Sequence, residues 1–400
     1  LLNSPTKFLK IQPQGNGNIG TVGNIPENFR GERPGRYEPF SRTGYMQNTY
    51  TVNDKWSVFS LVEYRETGIS EKSYTYITVD GINMHRLPTA RYCNRWGGKV
   101  STTYAINEMH KVSLGVEFYQ DNLEQGSRKI NQDTNKYTVN GQFRVQGLYT
   151  TFKPRAFVIW NNFGSFLQYE LNTKWVRETH FTIGTRFDIN SVYGNPLSPR
   201  IAIVNKPAEK LTLKLLYGAA YRAPTITEIE QFQSNLGTRK TLANSDLQPE
   251  KVRTYEVNIL YNPIKQILLQ LNAFRNELSD IIILTTLELS DFTQNQNLGK
   301  AYINGLEAKM DVSISKRVAG FVNFTFQKGE QTAKQFEKND TTFVIPNIAN
   351  VKGNIGLTFR VENLFNISVI GNWVGKRDVP GTNLYGPVDS YFITNVAITT

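Results

Sequence analysis

Cysteine occurs once in the 400 residues, at Cys93, so the chain can build neither an internal disulfide nor a cysteine-based metal site. Histidine occurs three times and methionine four times. No run approaches the roughly 18 consecutive apolar residues that a spanning helix needs. Apolar residues make up 39% and mean hydropathy is −0.40, which argues against a helical membrane protein. Blocks of like charge are also missing: the 45 Lys and Arg and 34 Asp and Glu are scattered singly. The resulting +11 therefore reads as a solvated surface, and no nucleic-acid partner is expected. Residues 1–30 lack the basic-then-apolar order of a secretory signal, since Leu1-Leu2 runs straight into Asn3-Ser4-Pro5. A signal already removed, or a start downstream of one, is the expectation. Aromatics, by contrast, reach 12%, too many for a disordered chain. A chain that is polar on average yet rich in rings suits a sheet with one greasy face and one wet face.

The recurring pattern is period-two alternation over about ten residues, bounded by turn residues. From 306 to 315, Leu306, Ala308, Met310, Val312 and Ile314 share one face, opposite Glu307, Lys309, Asp311, Ser313 and Ser315. Val318, Gly320, Val322, Phe324 and Phe326 repeat the arrangement, as do Val351, Gly353, Ile355, Leu357 and Phe359. Upstream, Leu211, Leu213, Leu215, Tyr217, Ala219 and Tyr221 do the same. No helical period persists over a useful length, so the chain reads as all-β.

The links between these runs alternate in length. Short ones fall at 53–55, 107–110, 176–179, 206–210, 262–265, 316–317 and 362–363. Between them come long ones at 66–96, 121–162, 191–198, 222–251, 277–301, 329–348 and 376–388. A soluble sandwich has no reason to gather its long loops at one end. A transmembrane antiparallel β-barrel does, with short periplasmic turns and long extracellular loops. About fifteen crossing strands are counted, from near residue 43 to the last residue; bacterial single-chain barrels have even numbers, so an incomplete barrel is expected. Residues 1–42 read as an extracellular loop or remnant preceding the barrel strands, and 43–400 as the barrel. Loops 66–96 and 121–162 are expected to carry hairpins of their own near 74–79 and 137–151.

Gly15-Asn16-Gly17-Asn18-Ile19-Gly20 matches a dinucleotide-binding fingerprint letter for letter. That reading needs a strand before it and a helix after it. Gly23 and Pro26 follow instead, and a loop is the better reading.

More informative is an ordered set: Leu197-Ser198-Pro199-Arg200, then Tyr221-Arg222-Ala223-Pro224-Thr225-Ile226-Thr227-Glu228-Ile229. Asn244-Ser245-Asp246-Leu247-Gln248-Pro249-Glu250 comes next, with Asn297-Leu298-Gly299-Lys300-Ala301-Tyr302-Ile303-Asn304-Gly305-Leu306-Glu307 downstream. The set resembles the C-terminal barrel of TonB-dependent outer-membrane receptors, well over 160–400 and by pattern alone before that. In that family an aromatic-R-A-P element and an N-P-x-L-x-P-E element bracket a large extracellular loop, and a G-x-E follows on a later strand. The residues matching those elements are Tyr221, Arg222, Ala223, Pro224, Glu228, Asn244, Leu247, Pro249, Glu250, Gly305 and Glu307.

The resemblance implies a barrel of roughly twenty-two strands filled by a plug. It further implies uptake of a scarce ligand energised by the TonB-ExbB-ExbD complex through that plug, in a monomer of the bacterial outer membrane. A ferric siderophore complex, often anionic, suits a basic mouth. The alternatives are a passive porin-like diffusion barrel, or a receptor of the same family for cobalamin, haem or a glycan.

Each motif residue also has a structural reading. Arg222 and Glu250 are expected to pair and brace the base of the loop. Pro224 and Pro249 deny the ladder a donor and end strands at the rim. Gly305 permits close packing or a bulge, and Glu307, Lys309 and Asp311 are expected to pair among themselves.

Ligand contacts are expected from Arg91, Tyr92, Arg95 and Trp96 in one loop, Arg128 and Lys129 in the next, and Arg239 and Lys240 in the motif loop. Arginine and lysine suit anionic groups, and aromatic faces stack on planar or sugar rings. The same cations could instead meet lipopolysaccharide phosphates, and outer-membrane lipid is an expected partner in any case. Haem is disfavoured: 225–243 holds no histidine, and His110 and His180 fall at short turns, leaving His85 beside Met84 in a long loop. No cofactor, resident metal or catalytic constellation is expected, so the chain does not read as an enzyme. A soluble adhesin or propeller would lack a lipid-facing aromatic belt.

Overall fold

The computed structural model describes residues 10–12, 39–69, 75–79, 82–86, 91–125, 158–229, 240–287, 292–335, 338–361, 364–379 and 386–399. The first strands are β1 (Lys10–Gln12), β2 (Pro39–Asn53), β3 (Trp56–Ile69), β4 (Thr75–Val79), β5 (Ile82–Arg86), β6 (Arg91–Ala105) and β7 (His110–Gln125). Then come β8 (Val158–Thr173), β9 (Glu178–Asn190), β10 (Leu197–Ala208), β11 (Leu211–Arg222), a one-turn helix α1 (Ile226–Ile229) and β12 (Lys240–Leu242). The last are β13 (Glu250–Tyr261), β14 (Ile267–Thr286), β15 (Phe292–Ser313), β16 (Val318–Gln335), β17 (Lys338–Val344), β18 (Val351–Val361), β19 (Phe365–Val374) and β20 (Tyr391–Thr399).

Fifteen of these form one antiparallel meander, each long strand hydrogen-bonded to the next from β2 to β20. The five short strands decorate it. β1 lies on β2, β4 and β5 form a hairpin above, β12 runs parallel to β15, and β17 folds back on β16.

The alternation decides which face meets oil. In a soluble fold the apolar rows would meet in a dry interior. Here the outward residues remain open: Val62 is 59% exposed, Phe326 53% and Ile355 58%. The rows continue across strands. Met310 lies opposite Val322, which lies opposite Ile355, and Leu306, Phe326 and Val351 form the row above. Trp56 and Tyr104 face each other at the short-turn end, and Tyr64 and Trp96 at the other. Eight residues separate Trp56 from Tyr64. At about 3.4 Å each and a tilt near 40° the two rings stand roughly 21 Å apart, close to the ~25 Å apolar band of such barrels.

The short turns lie together at one end, and three of them are closed by side-chain oxygens. Asn53 Oδ1 accepts from Lys55 N at 2.9 Å, Asn107 Oδ1 from Met109 N and His110 N at 2.8 and 2.9 Å, and Ser315 Oγ from Val318 N at 3.1 Å. Arg177 takes a left-handed φ of 56° in the turn after β8.

The long links depart from the sequence expectation in places. The hairpin expected near 74–79 is present as β4 and β5, while the one expected at 137–151 lies outside the described residues, as does Gly15–Gly20. The first long strand opens at Pro39, four residues before the expected start. Segment 277–301, expected as loop, is instead a hairpin in which β14 and β15 stay paired to Thr286 and Thr293. Segment 329–348 likewise holds the end of β16 and β17. Above the membrane both faces of a strand are wet, so pairing continues where the apolar period has stopped.

Candidate functional site

The motif residues meet at the long-loop end. Arg222 closes β11 and Glu250 opens β13, directly opposite in register. Arg222 Nε donates to Glu250 Oε2 at 2.5 Å, and its two terminal nitrogens donate to Glu228 at 3.1 Å each. Glu250 Oε1 also accepts Ile282 N at 2.8 Å, tying β14 to the same point. Glu228 is on α1, three residues after Thr225, and the two form a reciprocal cap. Thr225 N donates to Glu228 Oε2 at 2.7 Å, and Glu228 N to Thr225 Oγ1 at 3.3 Å. Burial alone would push the Glu228 carboxyl up, but hydrogen bonds from Arg222 and Thr225 outweigh it and hold the group below its usual value.

The second motif closes this clamp from below. Asn244 N donates to Ile229 O at 2.8 Å, its Nδ2 to Asn295 O at 2.7 Å, and its Oδ1 accepts Asp246 N at 3.0 Å. Asn295 Nδ2 donates to Glu228 O at 3.0 Å, and Asn297 exchanges side-chain bonds with the backbone of Gln248 at 2.8 and 2.9 Å. Leu247, 1% exposed, inserts beside Ile229, Trp160 and Tyr193, the buried apolar cluster of the mouth. Pro224 is buried there as well. Tyr221 continues the outward row by parity, yet its ring packs 6.2 Å from that of Tyr193. The bracing expected of Arg222 and Glu250 is present, with Glu228 as a third member.

The pleat splits the β6 candidates. Arg95 shares the lumen face with Cys93, and its guanidinium is gripped by Asp121 at 2.6 and 2.8 Å, 5.3 Å above the Tyr119 ring. Tyr92 and Trp96 lie on the outer face: Tyr92 is 6.4 Å from the Phe40 ring, and Trp96 Nε1 donates to Gln120 at 2.9 Å. Arg91 opens β6 with the backbone parity of Arg95, and Lys240 opens β12. Arg128, Lys129 and Arg239 lie outside the described residues.

Sequence reasoning missed a second lumenal network. Arg186 bridges Asp188 and Glu117, and Asp188 is fully buried. Arg186 and Asp188, two apart on one strand face, carried the same signal as Lys309 and Asp311, which do pair at 2.9 Å. Glu307 instead accepts from Asn272 Nδ2 at 3.3 Å. Gly305 is where Phe274 crosses: a Cβ there would stand 2.3 Å from the ring. His110 pairs with Tyr169, and His180 with Asn172 and Thr182, both at the short-turn end; His85 sits on β5.

The family model described as "TonB dependent receptor-like, beta-barrel" matches residues 3–400. The iron-regulated outer membrane virulence protein of Vibrio cholerae serotype O1 (strain O395) is 25% identical over 295 residues, covering 70% of this chain and 41% of that protein. The ferrienterobactin receptor of Escherichia coli K12 is 23% identical over 232 residues, covering 54% of this chain and 30% of that one. Among solved structures, the FrpB iron transporter from Neisseria meningitidis superposes with a TM-score of 0.66 at 13% identity, covering 96% of this chain and 60% of that one. The chain thus spans about two fifths of the first of these relatives.

Proposed function

We propose, from the premise that this chain belongs to the TonB-dependent receptor β-barrel family of the bacterial outer membrane, that it forms the wall of a receptor importing a ferric siderophore complex. The family is one of receptors, not enzymes. The observation that carries the ligand reading is Arg95, fixed by Asp121 above the Tyr119 ring on the lumen face near the mouth. With Nε and one terminal nitrogen donating to Asp121, the guanidinium keeps its other terminal nitrogen to donate to the oxygens of an anionic chelate, and its planar face can stack on the chelate's rings. The relatives named for iron regulation and for ferrienterobactin support the same choice. Arg91, Arg128, Lys129, Arg239 and Lys240 would add to the basic mouth, while Tyr92 and Trp96, on the outer face, would not reach a ligand in the lumen.

In this reading the family-motif clamp sets the angle at which the 222–250 loop leaves the rim. The residues before Pro39 lead in as an extracellular loop, and the strands from β2 onward make the barrel. The TonB-ExbB-ExbD complex supplies energy through a plug in the lumen, the barrel acts as a monomer, and its outer rows meet lipid and lipopolysaccharide.

Growth rescue of a transport mutant by the full-length protein, across ferric chelates, haem, cobalamin and glycans, tests the proposal. Rescue restricted to ferric chelates is expected. Equal growth on every source with and without the protein contradicts it, and ligand-independent leakage from liposomes would favour the porin instead.

A further inference from the structure

Above the membrane, β14 parts from its neighbour. β13 pairs with it only as far as Lys251 opposite Ser279, and Glu250 is the β13 residue nearest the mouth. Asp280 then takes a left-handed φ of 58°, and the register with β15 shifts beside it. Residues 281–286 continue paired to β15 alone, which leaves their other edge open.

Two hydrogen bonds fix which backbone groups face that edge. Leu287 N donates to Phe292 O at 2.8 Å, toward β15, and Ile282 N donates to Glu250 Oε1 at 2.8 Å, on the opposite side. Ladder groups alternate in direction along a strand. Leu284 and Thr286 therefore aim their N–H and C=O away from β15, alongside the Ile282 carbonyl. Thr286 O meets only the Thr285 hydroxyl, at 3.5 Å. The Leu284 N–H and C=O and the Thr286 N–H have no partner among the described residues.

Edges of this kind are ordinarily blunted by charge or proline. The raised strand β17 follows that rule with Lys338 and Asp340. Ile281-Ile282-Ile283-Leu284-Thr285-Thr286 has neither, and all but Leu284 are β-branched. Ile282 packs on the buried cluster of the mouth, so the edge is anchored to the Arg222 clamp. Leu284 has the same parity and is 53% exposed.

The spacing of these groups selects the occupant. Donors and acceptors repeating about every 6.8 Å match a second extended backbone, and neither an acyl chain nor a compact chelate offers that repeat. Another copy in the same membrane does not fit. Strands tilted about 40° in two copies related by an axis along the membrane normal cross at about 80°, so their edges share no ladder. The +11 charge of the chain favours acidic side chains on the partner. We infer that Ile282–Thr286 takes an extended acidic peptide from outside the cell as an added strand, a polypeptide-binding function separate from chelate import. It rests on the long-loop end being extracellular and stands whether or not a ferric chelate is carried.

The test uses the full-length protein in detergent and a fluorescent ten-residue peptide of alternating valine and threonine with a glutamate at each end. Binding should slow exchange of the Leu284 and Thr286 amides at least tenfold and leave that of Leu287 unchanged. The same peptide N-methylated at two adjacent central residues, which blocks both of its edges, should bind at least tenfold more weakly. Thr286→Pro removes an N–H that β15 does not use and should weaken binding by a similar factor, with Leu287 still protected. Thr286→Val keeps the N–H and should bind like the wild type. Equal binding of the N-methylated peptide, undiminished binding by Thr286→Pro, or no protection of either edge amide at millimolar peptide overturns the inference. Dimers that Thr286→Pro abolishes also overturn it, since the occupant would then be a second copy.

Discussion

Replacing Leu247 by alanine tests whether the clamp is held by packing or only by its charges. Leu247 is 1% exposed, wedged among Trp160, Tyr193 and Ile229. Truncating a leucine so enclosed costs about 2–5 kcal/mol, from lost transfer energy and the cavity left behind. Taking about 3 kcal/mol, the opening equilibrium of the loop base should rise on the order of 100-fold. Native-state hydrogen exchange reads this locally. The amides to follow are Ile229, bonded to Thr225 O at 3.1 Å, Asn244, bonded to Ile229 O at 2.8 Å, and Gln248, bonded to Asn297 Oδ1 at 2.9 Å. All three should exchange faster together, while the β13 and β14 ladder stays protected. Leu215→Ala, on the lipid face, should leave all three unchanged. Unchanged exchange in Leu247→Ala, or acceleration spread evenly over the barrel, would refute the reasoning.

The clamp should also depend on pH. Glu228 is held below its ordinary value in the folded state, so its contribution is complete above the unfolded value near 4.3. It is lost only as pH falls through the lower folded value. Asn244 amide protection followed downward in pH should fall there, and Glu228→Gln should reduce the transition to the part that Glu250, held low by the same Arg222, contributes. Gly305→Ala places a methyl 2.3 Å from the Phe274 ring and should destabilise by about 1–3 kcal/mol in urea unfolding. Adding Phe274→Leu should recover most of that loss, and strict additivity of the two changes would contradict the close approach. Arg95→Gln should weaken binding of the growth-supporting chelate at least tenfold, while Trp96→Leu leaves it nearly unchanged. Equal losses in a titration would mean that the pleat does not separate the two.

Much of the fold was legible because lipid on one side and water on the other impose a strict alternation, seen plainly at Leu306–Ile314 and Val318–Phe326. Legibility ended where that contrast ends. In the stretch from Thr293 to Asn297 both faces are polar, so the paired extension of β15 read as loop. The left-handed φ of 58° at Asp280 and the register shift beside it carry no periodic signal either.

At the site, the motif residues announced a loop base, and the Arg222–Glu250 pair followed from their chemistry and position. Asn295 could not be found this way, since its role depends on reaching the backbone of Glu228 across 67 positions of sequence. Arg91, Tyr92, Arg95 and Trp96 read as one patch because proximity in sequence was weighed ahead of strand parity. Applying parity there would have separated Arg95 from Trp96 without coordinates.

The most direct test of the barrel's two-faced wall is fluorescence quenching by brominated lipid at single labelled positions along β16. Labels at Val322, Phe324 and Phe326 should be quenched strongly, and those at Asn323 and Thr325 should not, giving a period of two. Uniform quenching along the strand, or stronger quenching at Asn323 and Thr325, would contradict it.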